Sequence, residues 1–338
     1  MSDRDMVPQL RGDRQVAAGF AETEAPVPVA ADAPDVVPGF VTDNVKPHSL
    51  WTDAWLEMRR RPMFWVALAL VVLFIVMAIA PGLFAHQNPN AQHACDPQAV
   101  RQLPSRAHWF GTDILGCDVY SMTVYGARAS ILVGFIATIG VTLLGSFVGL
   151  VAGYFGGWLD AVLSRVGEIF IAIPLLLGSM VILYTFRSQP GTPLLPMISK
   201  VVLGIVVFGW PSIARLMRGS VLQVKPNEYV MAAKALGASS SRIIRSHILP
   251  NAVAPVIAVA TINLGSYIAL EATLSFLGIG LQSPAISWGQ SISKASGMGY
   301  ITAAPHMLLF PSLFLSLTVL AFIMLGEVAR DALDPKQR

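Results

Sequence analysis

ASILVGFIATIGVTLLGSFVGLVAGYFGGWL, residues 129–159, contains no Asp, Glu, Lys or Arg. A helix needs about 20 mostly apolar residues to cross the hydrocarbon core of a bilayer, and this run exceeds that length. Residues 62–94, 169–186 and 295–326 are equally free of charge, 188–213 holds only Lys200, and 251–293 holds only Glu271. Trimming polar ends predicts six membrane helices, near 63–84, 131–155, 166–186, 194–214, 252–277 and 306–326. The other reading, buried helices of a large soluble core, leaves no polar half to face water. Composition agrees. Of 338 residues, 54% are hydrophobic and 13% charged, against about 25% charged in an average soluble domain. That excludes disorder over most of the length and argues against a soluble enzyme. The net charge of +3 is too small to suggest a nucleic-acid partner. The fold class is therefore an all-α polytopic membrane protein. Gly134, Gly140, Gly145, Gly149, Pro174 and Pro255 fall inside the predicted spans, where neighbouring helices satisfy freed backbone groups. Gly145 and Gly149 are read as a packing pair that permits close helix approach.

The basic residues set the expected orientation. Arg59, Arg60 and Arg61 directly precede the first span, and the positive-inside rule places them in the cytoplasm. Six spans return the C-terminus, with Arg330, Lys336 and Arg338, to the same side. Seventeen Lys and Arg then lie inside and six outside. The first apolar run begins near residue 63, too late for a cleaved signal peptide. Residues 1–48, rich in Ala, Pro, Val and Asp, read as a disordered cytoplasmic tail. Residues 49–84 comprise SLWTDAWLEMRRR (49–61) and the first span; Trp51, Trp55 and Met58 recur at helical spacing beside a basic end. That segment is either a short helix lying in the membrane interface or simply the start of span one. An outer loop (85–130), a core of the remaining spans (131–330) and a short cytoplasmic tail (331–338) complete the division.

Cys95 and Cys117, the only cysteines, both fall in the outer loop. An oxidising compartment would favour a disulfide between them, stabilising the loop by ~2–4 kcal/mol if unstrained; the alternative is two independent thiols.

The longest inner loop, 215–250, reads RLMRGSVLQVKPNEYVMAAKALGASSSRIIRSHILP. Two short helices are predicted. Asn227 can cap the first, which carries Tyr229, Ala232, Ala233 and Leu236. Gly237 can supply the left-handed residue that ends it. Ser239, Ser240 and Ser241 offer caps for the second, and Pro250 is expected to stop it. A helix–Gly–helix elbow with small Ala232 and Ala233 makes a compact knob for a groove on a cytoplasmic partner; the bland reading is an amphipathic linker on the membrane surface.

The spacing Ala232-Ala233-x3-Gly237, with Leu249-Pro250 following, resembles the EAA loop of ABC importer permeases. Met231 stands where that family usually has Glu, and His247 where it often has Ile. HWFGTDILGCDVYSMTVYGARASI (108–131) resembles the segment before span two in the C-type subunit of dipeptide, oligopeptide and nickel importers. Cys117 and Met122 replace the arginines usual there. LEATLSFLGIGLQSPAISWG (270–289) resembles the stretch after span five of the same subunit. The resemblance covers about 51–335. It implies a type I ABC importer permease fold in the bacterial cell membrane, both termini cytoplasmic. In that family the loop forms coupling helices, which assigns Tyr229, Ala232, Ala233, Gly237, Leu249 and Pro250 to the ATPase-coupling loop. The implied partners are a second homologous permease, one fused or two separate ABC ATPase subunits, and an extracytoplasmic substrate-binding protein.

There is no G-x-x-x-x-G-K-[ST] phosphate loop, so ATP and Mg are expected in the partner ATPase and no cofactor in this chain. No Cys/His cluster has zinc spacing. His86, His93 and His108 share the outer loop and read as ordinary polar residues rather than metal ligands. No paired catalytic carboxylates or nucleophile elbow stand out, so no catalytic residue is assigned. Glu271 is either a pathway-lining carboxylate or a carboxylate bonded to Ser275, Ser266 or backbone. Glu168 reads as helix-end decoration or as a partner of Arg165.

The function expected is the transmembrane permease subunit of an ATP-driven importer of dipeptides or oligopeptides, transmitting ATPase motion through 227–249. Nickel or another small solute is the alternative within the family. Two other classes compete. A self-contained channel or secondary transporter would show repeats and broken helices at midspan, and a non-transporting scaffold or sensor would bind a partner without substrate flux.

Overall fold

The computed structural model describes residues 50–91, 94–189 and 191–333. The expected tail 1–48, His93 and residues 334–338 lie outside the described residues. The described chain is helical throughout, apart from irregular connections. A short helix α1 (Leu50–Met58) precedes α2 (Pro62–Ile79). Pro62 at the first turn of α2 lacks an N–H that would be unpaired there anyway, and the turn at Arg59–Arg61 separates the two helices. The segment before span one is thus a separate helix. Trp55 of α1 packs edge-on against Phe64 of α2, ring centroids 5.7 Å apart.

The central helix is α3 (Val119–Phe155), 37 residues long. It starts at Val119 rather than at the expected 131. Asp118 caps it, accepting from Ser121 N at 2.8 Å and from Ser121 Oγ at 2.7 Å. Arg128, which marked the expected boundary, lies on an exposed face of this helix without ending it; a charged head there can reach outward from the apolar stem. The third expected span is broken. α4 (Gly157–Ala172) and α5 (Leu175–Thr185) meet at an 83° bend. Pro174 forces Ile173 into an extended conformation (φ −91°, ψ 119°), as the residue before proline prefers. α6 (Leu194–Val224) then runs ten residues past the expected 214. Arg215 and Arg218 end the apolar stretch, not the helix.

Beyond α6 come α7 (Glu228–Ala235), α8 (Ser240–Ile243), a π-helical turn over Ile244–Ile248, α9 (Leu249–Ala252) and α10 (Ala254–Phe276). Pro250 does not stop the second elbow helix. It sits in the first turn of α9, directly after the π-helical turn, and the chain continues helically into α10. The final elements are α11 (Trp288–Ala295), α12 (Met298–Ala303) and α13 (His306–Leu333). Five of these helices are long and apolar enough to cross a membrane, or six if the bent α4–α5 pair is one span.

α3 and α6 form the seam around which the rest is arranged. A β-carbon at Gly145 would lie 2.6 Å from the Trp210 carbonyl oxygen, and one at Gly149 would fall on the Ala214 carbonyl. The two glycines therefore let the helix backbones touch, as small residues do in membrane interfaces. Val133, Ala137 and Val141 of α3 and Ile205, Ile213 and Met217 of α6 are buried in the core along this seam. α10 lies on the other flank of α3 with α13 beside it, and α2 closes that side through Val71, Phe74 and Met77. Arg61, at the start of α2, reaches Asp331 near the end of α13 at 2.7 Å.

Candidate functional site: the elbow and the two ends of the helix bundle

The elbow is built by a helix-stop motif. Ala238 N donates to Ala233 O and Gly237 N to Lys234 O, both at 3.0 Å. This is the paired closure of a Schellman turn, which requires a left-handed residue between the helices. Gly237 supplies it with φ +79°. Ser239 caps α8 by accepting from Arg242 N at 3.4 Å. Asn227 precedes α7, but its side chain makes no capping bond; its Nδ2 donates to Tyr229 Oη at 3.2 Å instead.

The elbow is anchored on one side and open on the other. Val230, Ile243 and Ile248 are buried in the core. Tyr229, Ala232, Gly237 and Pro250 are exposed, and Ala233 and Leu249 are half-buried. The knob is more apolar than the Ala pair alone suggests. Leu236 is 88% exposed and Met231 57% exposed. Sequence reasoning placed Leu236 only within the helix; its signal is its position immediately before the helix-ending glycine, where the chain turns away from the core.

Next to the elbow end lies a cleft of about 350 Å³ between α3, α4 and α6, with Trp210 and Arg215 in its wall. Arg218 closes it with a two-pronged bond to Asp160 of α4, Nε to Oδ1 at 2.5 Å and Nη2 to Oδ2 at 2.7 Å. Glu168 pairs with Arg165 at 2.8 Å, one of the two roles expected of it.

At the opposite end the connection before α3 is folded tightly on itself. Cys95 and Cys117 form a disulfide, Cα atoms 4.1 Å apart. Asp113 Oδ1 accepts from Leu115 N and Cys117 N, each at 2.8 Å. His108 Nδ1 lies 3.1 Å from Asp118 Oδ1, and His86 packs against Trp109 with centroids 4.3 Å apart. His306 Nε2 lies 3.2 Å from Thr112 O. These histidines have separate partners, and among the described residues no three His, Cys, Asp or Glu side chains gather as a metal site. Mass spectrometry of the non-reduced protein should show a linked peptide pair carrying Cys95 and Cys117; two alkylatable thiols would contradict the bond.

Glu271 lies in this half of the bundle. It is completely buried, and Ser275 Oγ donates to its Oε1 at 2.7 Å. Ser266 instead donates to Ile262 O. The carboxylate therefore faces the interior of this chain.

Residues 145–338 match the family described as binding-protein-dependent transport system inner membrane component. Residues 49–103 match the N-terminal TM domain of oligopeptide transport permease C. Among curated proteins, the dipeptide transport system permease protein DppC of Alkalihalophilus pseudofirmus is 37% identical over 94% of this chain and 99% of its own length. The oligopeptide transport system permease protein OppC of Bacillus subtilis is 38% identical over 92% of this chain and 96% of its own. The glutathione transport system permease protein GsiD of Escherichia coli is 36% identical over 86% of this chain and 93% of its own. Among solved structures, an inward-facing form of the MetNI methionine ABC transporter aligns with 62% of this chain and 96% of its own, at a TM-score of 0.49 and 22% identity.

Proposed function

Because the chain belongs to the family of binding-protein-dependent transport system inner membrane components, we propose that it is the membrane subunit through which an ATP-driven importer takes up dipeptides or oligopeptides. The observation that carries this reading is similarity to named dipeptide and oligopeptide permeases over nearly the whole of both chains. Similarity to a glutathione permease points to the same substrate class, since glutathione is itself a short peptide.

The elbow's role follows from its build. Leu236, Met231 and Tyr229 stand out from a knob whose back is buried, and burying such apolar surface in a partner's groove is favourable by ~25 cal/mol per Å². The partner is an ABC ATPase, which supplies the nucleotide and Mg. Its movement pushes on α7, and the helical run from α8 through the π turn into α10 carries that push into the bundle. A second, homologous permease completes the pathway. An extracytoplasmic binding protein delivers peptide at the disulfide end. Arg59, Arg60 and Arg61 before α2, and Arg242 and Arg245 on the elbow, favour a cytoplasmic location for that end. The disulfide suits the oxidising side. Both termini are then cytoplasmic.

Purification of the tagged chain from native membranes in gentle detergent is expected to recover a second permease and an ABC ATPase. Recovery of this chain alone, repeated after cross-linking, would contradict the importer assembly.

A further inference from the structure

Glu271 is the one charge between residues 251 and 293, and it is wholly enclosed by this subunit. A buried carboxylate is costly unless hydrogen bonds compensate it. Ser275 Oγ, one turn along α10, donates to Oε1 at 2.7 Å. Ser130 on α3 and Ser287 at the start of α11 lie near the same carboxyl group, whose Oε2 has no direct hydrogen bond.

The other side of each serine shows what the cluster is for. Ser275 Oγ accepts the Leu281 N–H at 3.0 Å, Ser130 Oγ the Trp288 N–H at 3.4 Å, and Ser287 Oγ the Gln290 N–H at 3.3 Å. A serine hydroxyl carries one proton and two acceptor lone pairs. With a backbone amide on the oxygen, the proton is free for the carboxylate. The Leu281–Ser275–Glu271 chain is a complete amide–hydroxyl–carboxyl relay, and the serines that hold Trp288 and Gln290 lie beside the same carboxyl group. The three amides belong to one short stretch of chain, 281–290, and the serines that hold them belong to α10, α3 and the start of α11.

We propose that Glu271 is the hub that pins the 281–290 segment to α3 and α10, and that it is a positioning residue for transport. The inference rests on the importer reading above for its second half only. Pinned in this way, the segment moves with α3 and α10 as one body, so that a push arriving along α10 reaches the substrate-receiving end without slack. Loss of the hub would let the ATPase turn over while the receiving end lags.

Residue-resolved hydrogen exchange on the assembled complex in lipid nanodiscs tests the network directly. In Glu271→Leu, the amides of Leu281, Trp288 and Gln290 should each exchange at least tenfold faster. Ser275→Ala should release Leu281 alone and Ser130→Ala Trp288 alone; these milder variants keep the test open if Glu271→Leu does not fold. Glu271→Gln, which keeps one acceptor oxygen, should retain Leu281 protection. Peptide transported per ATP hydrolysed should fall severalfold in Glu271→Leu and recover partly in Glu271→Gln. Unchanged protection of all three amides in Glu271→Leu, or equal release of all three in Ser130→Ala, would overturn the hub. Relay-specific release with an unchanged transport ratio would overturn the positioning role. Absence of peptide uptake by the unmodified complex would instead count against the importer reading, and the exchange pattern would still decide the hub.

Discussion

Replacing Gly237 with Val is expected to cut peptide uptake at least tenfold while leaving the amount of chain in the membrane unchanged. Gly237 holds φ +79° between α7 and α8, and nothing lies within 4 Å of where its β-carbon would point. The penalty is therefore conformational rather than steric crowding by neighbours. A left-handed conformation costs about 1–2 kcal/mol for an ordinary L-residue, and a β-branched residue is a genuine outlier there. Each ~1.4 kcal/mol is a tenfold change in population, so the Val variant spends most of its time with the elbow turned differently. Leu236 and Met231 then no longer present one apolar face. Gly237→Asn is the control, because Asn tolerates the left-handed region; it should keep most of the uptake. Uptake and co-purified ATPase are read together. Full uptake with normal complex recovery in Gly237→Val would refute the elbow's role.

Substituting Gly149 has its effect earlier, on the folded bundle. A β-carbon there would fall on the Ala214 carbonyl and lie 2.9 Å from Met217 Cβ. The carbonyl is backbone and cannot rotate aside, so α3 and α6 must separate along the seam. Overpacking of this kind costs roughly 1–3 kcal/mol for a single methyl, and Gly149→Leu should leave little monodisperse protein. Gly219, on α6, has nothing within 4 Å of its added β-carbon. Gly219→Ala should therefore be neutral, or stabilising by roughly 0.5–1 kcal/mol through helix propensity. Thermal unfolding in detergent, followed by size-exclusion recovery, separates the two. Equal melting of Gly149→Ala and Gly219→Ala would contradict the close seam.

The six apolar runs were legible because a bilayer demands long charge-free helices, and each run became a helix or a helix pair. What sequence alone missed has three physical sources. First, helices do not end where the apolar stretch ends: α3 begins at Val119 because Asp118 caps it, and α6 continues past Arg215 to Val224. Second, a proline's effect depends on its surroundings. Pro174 breaks the third span by 83°, whereas Pro250 follows a π turn and leaves the helical run intact. Third, distant partners are invisible in a local pattern. The lone charge of Glu271 and its neighbour Ser275 were visible on one helix, but Ser130 belongs to α3, far back along the chain, and Ser287 to the turn beyond α10. Gly237 was legible because helix–Gly–helix grammar is local. The prominence of Leu236 was not, since exposure depends on which face the core claims.

The most direct test of the central claim is ATP-dependent uptake of a labelled dipeptide by proteoliposomes. They would contain this chain with the permease and ATPase that co-purify with it, and the associated binding protein would be added on the receiving side. Peptide should accumulate only with ATP and only with every component present. Peptide flux through this chain alone, indifferent to ATP, would contradict the account and favour a self-contained transporter.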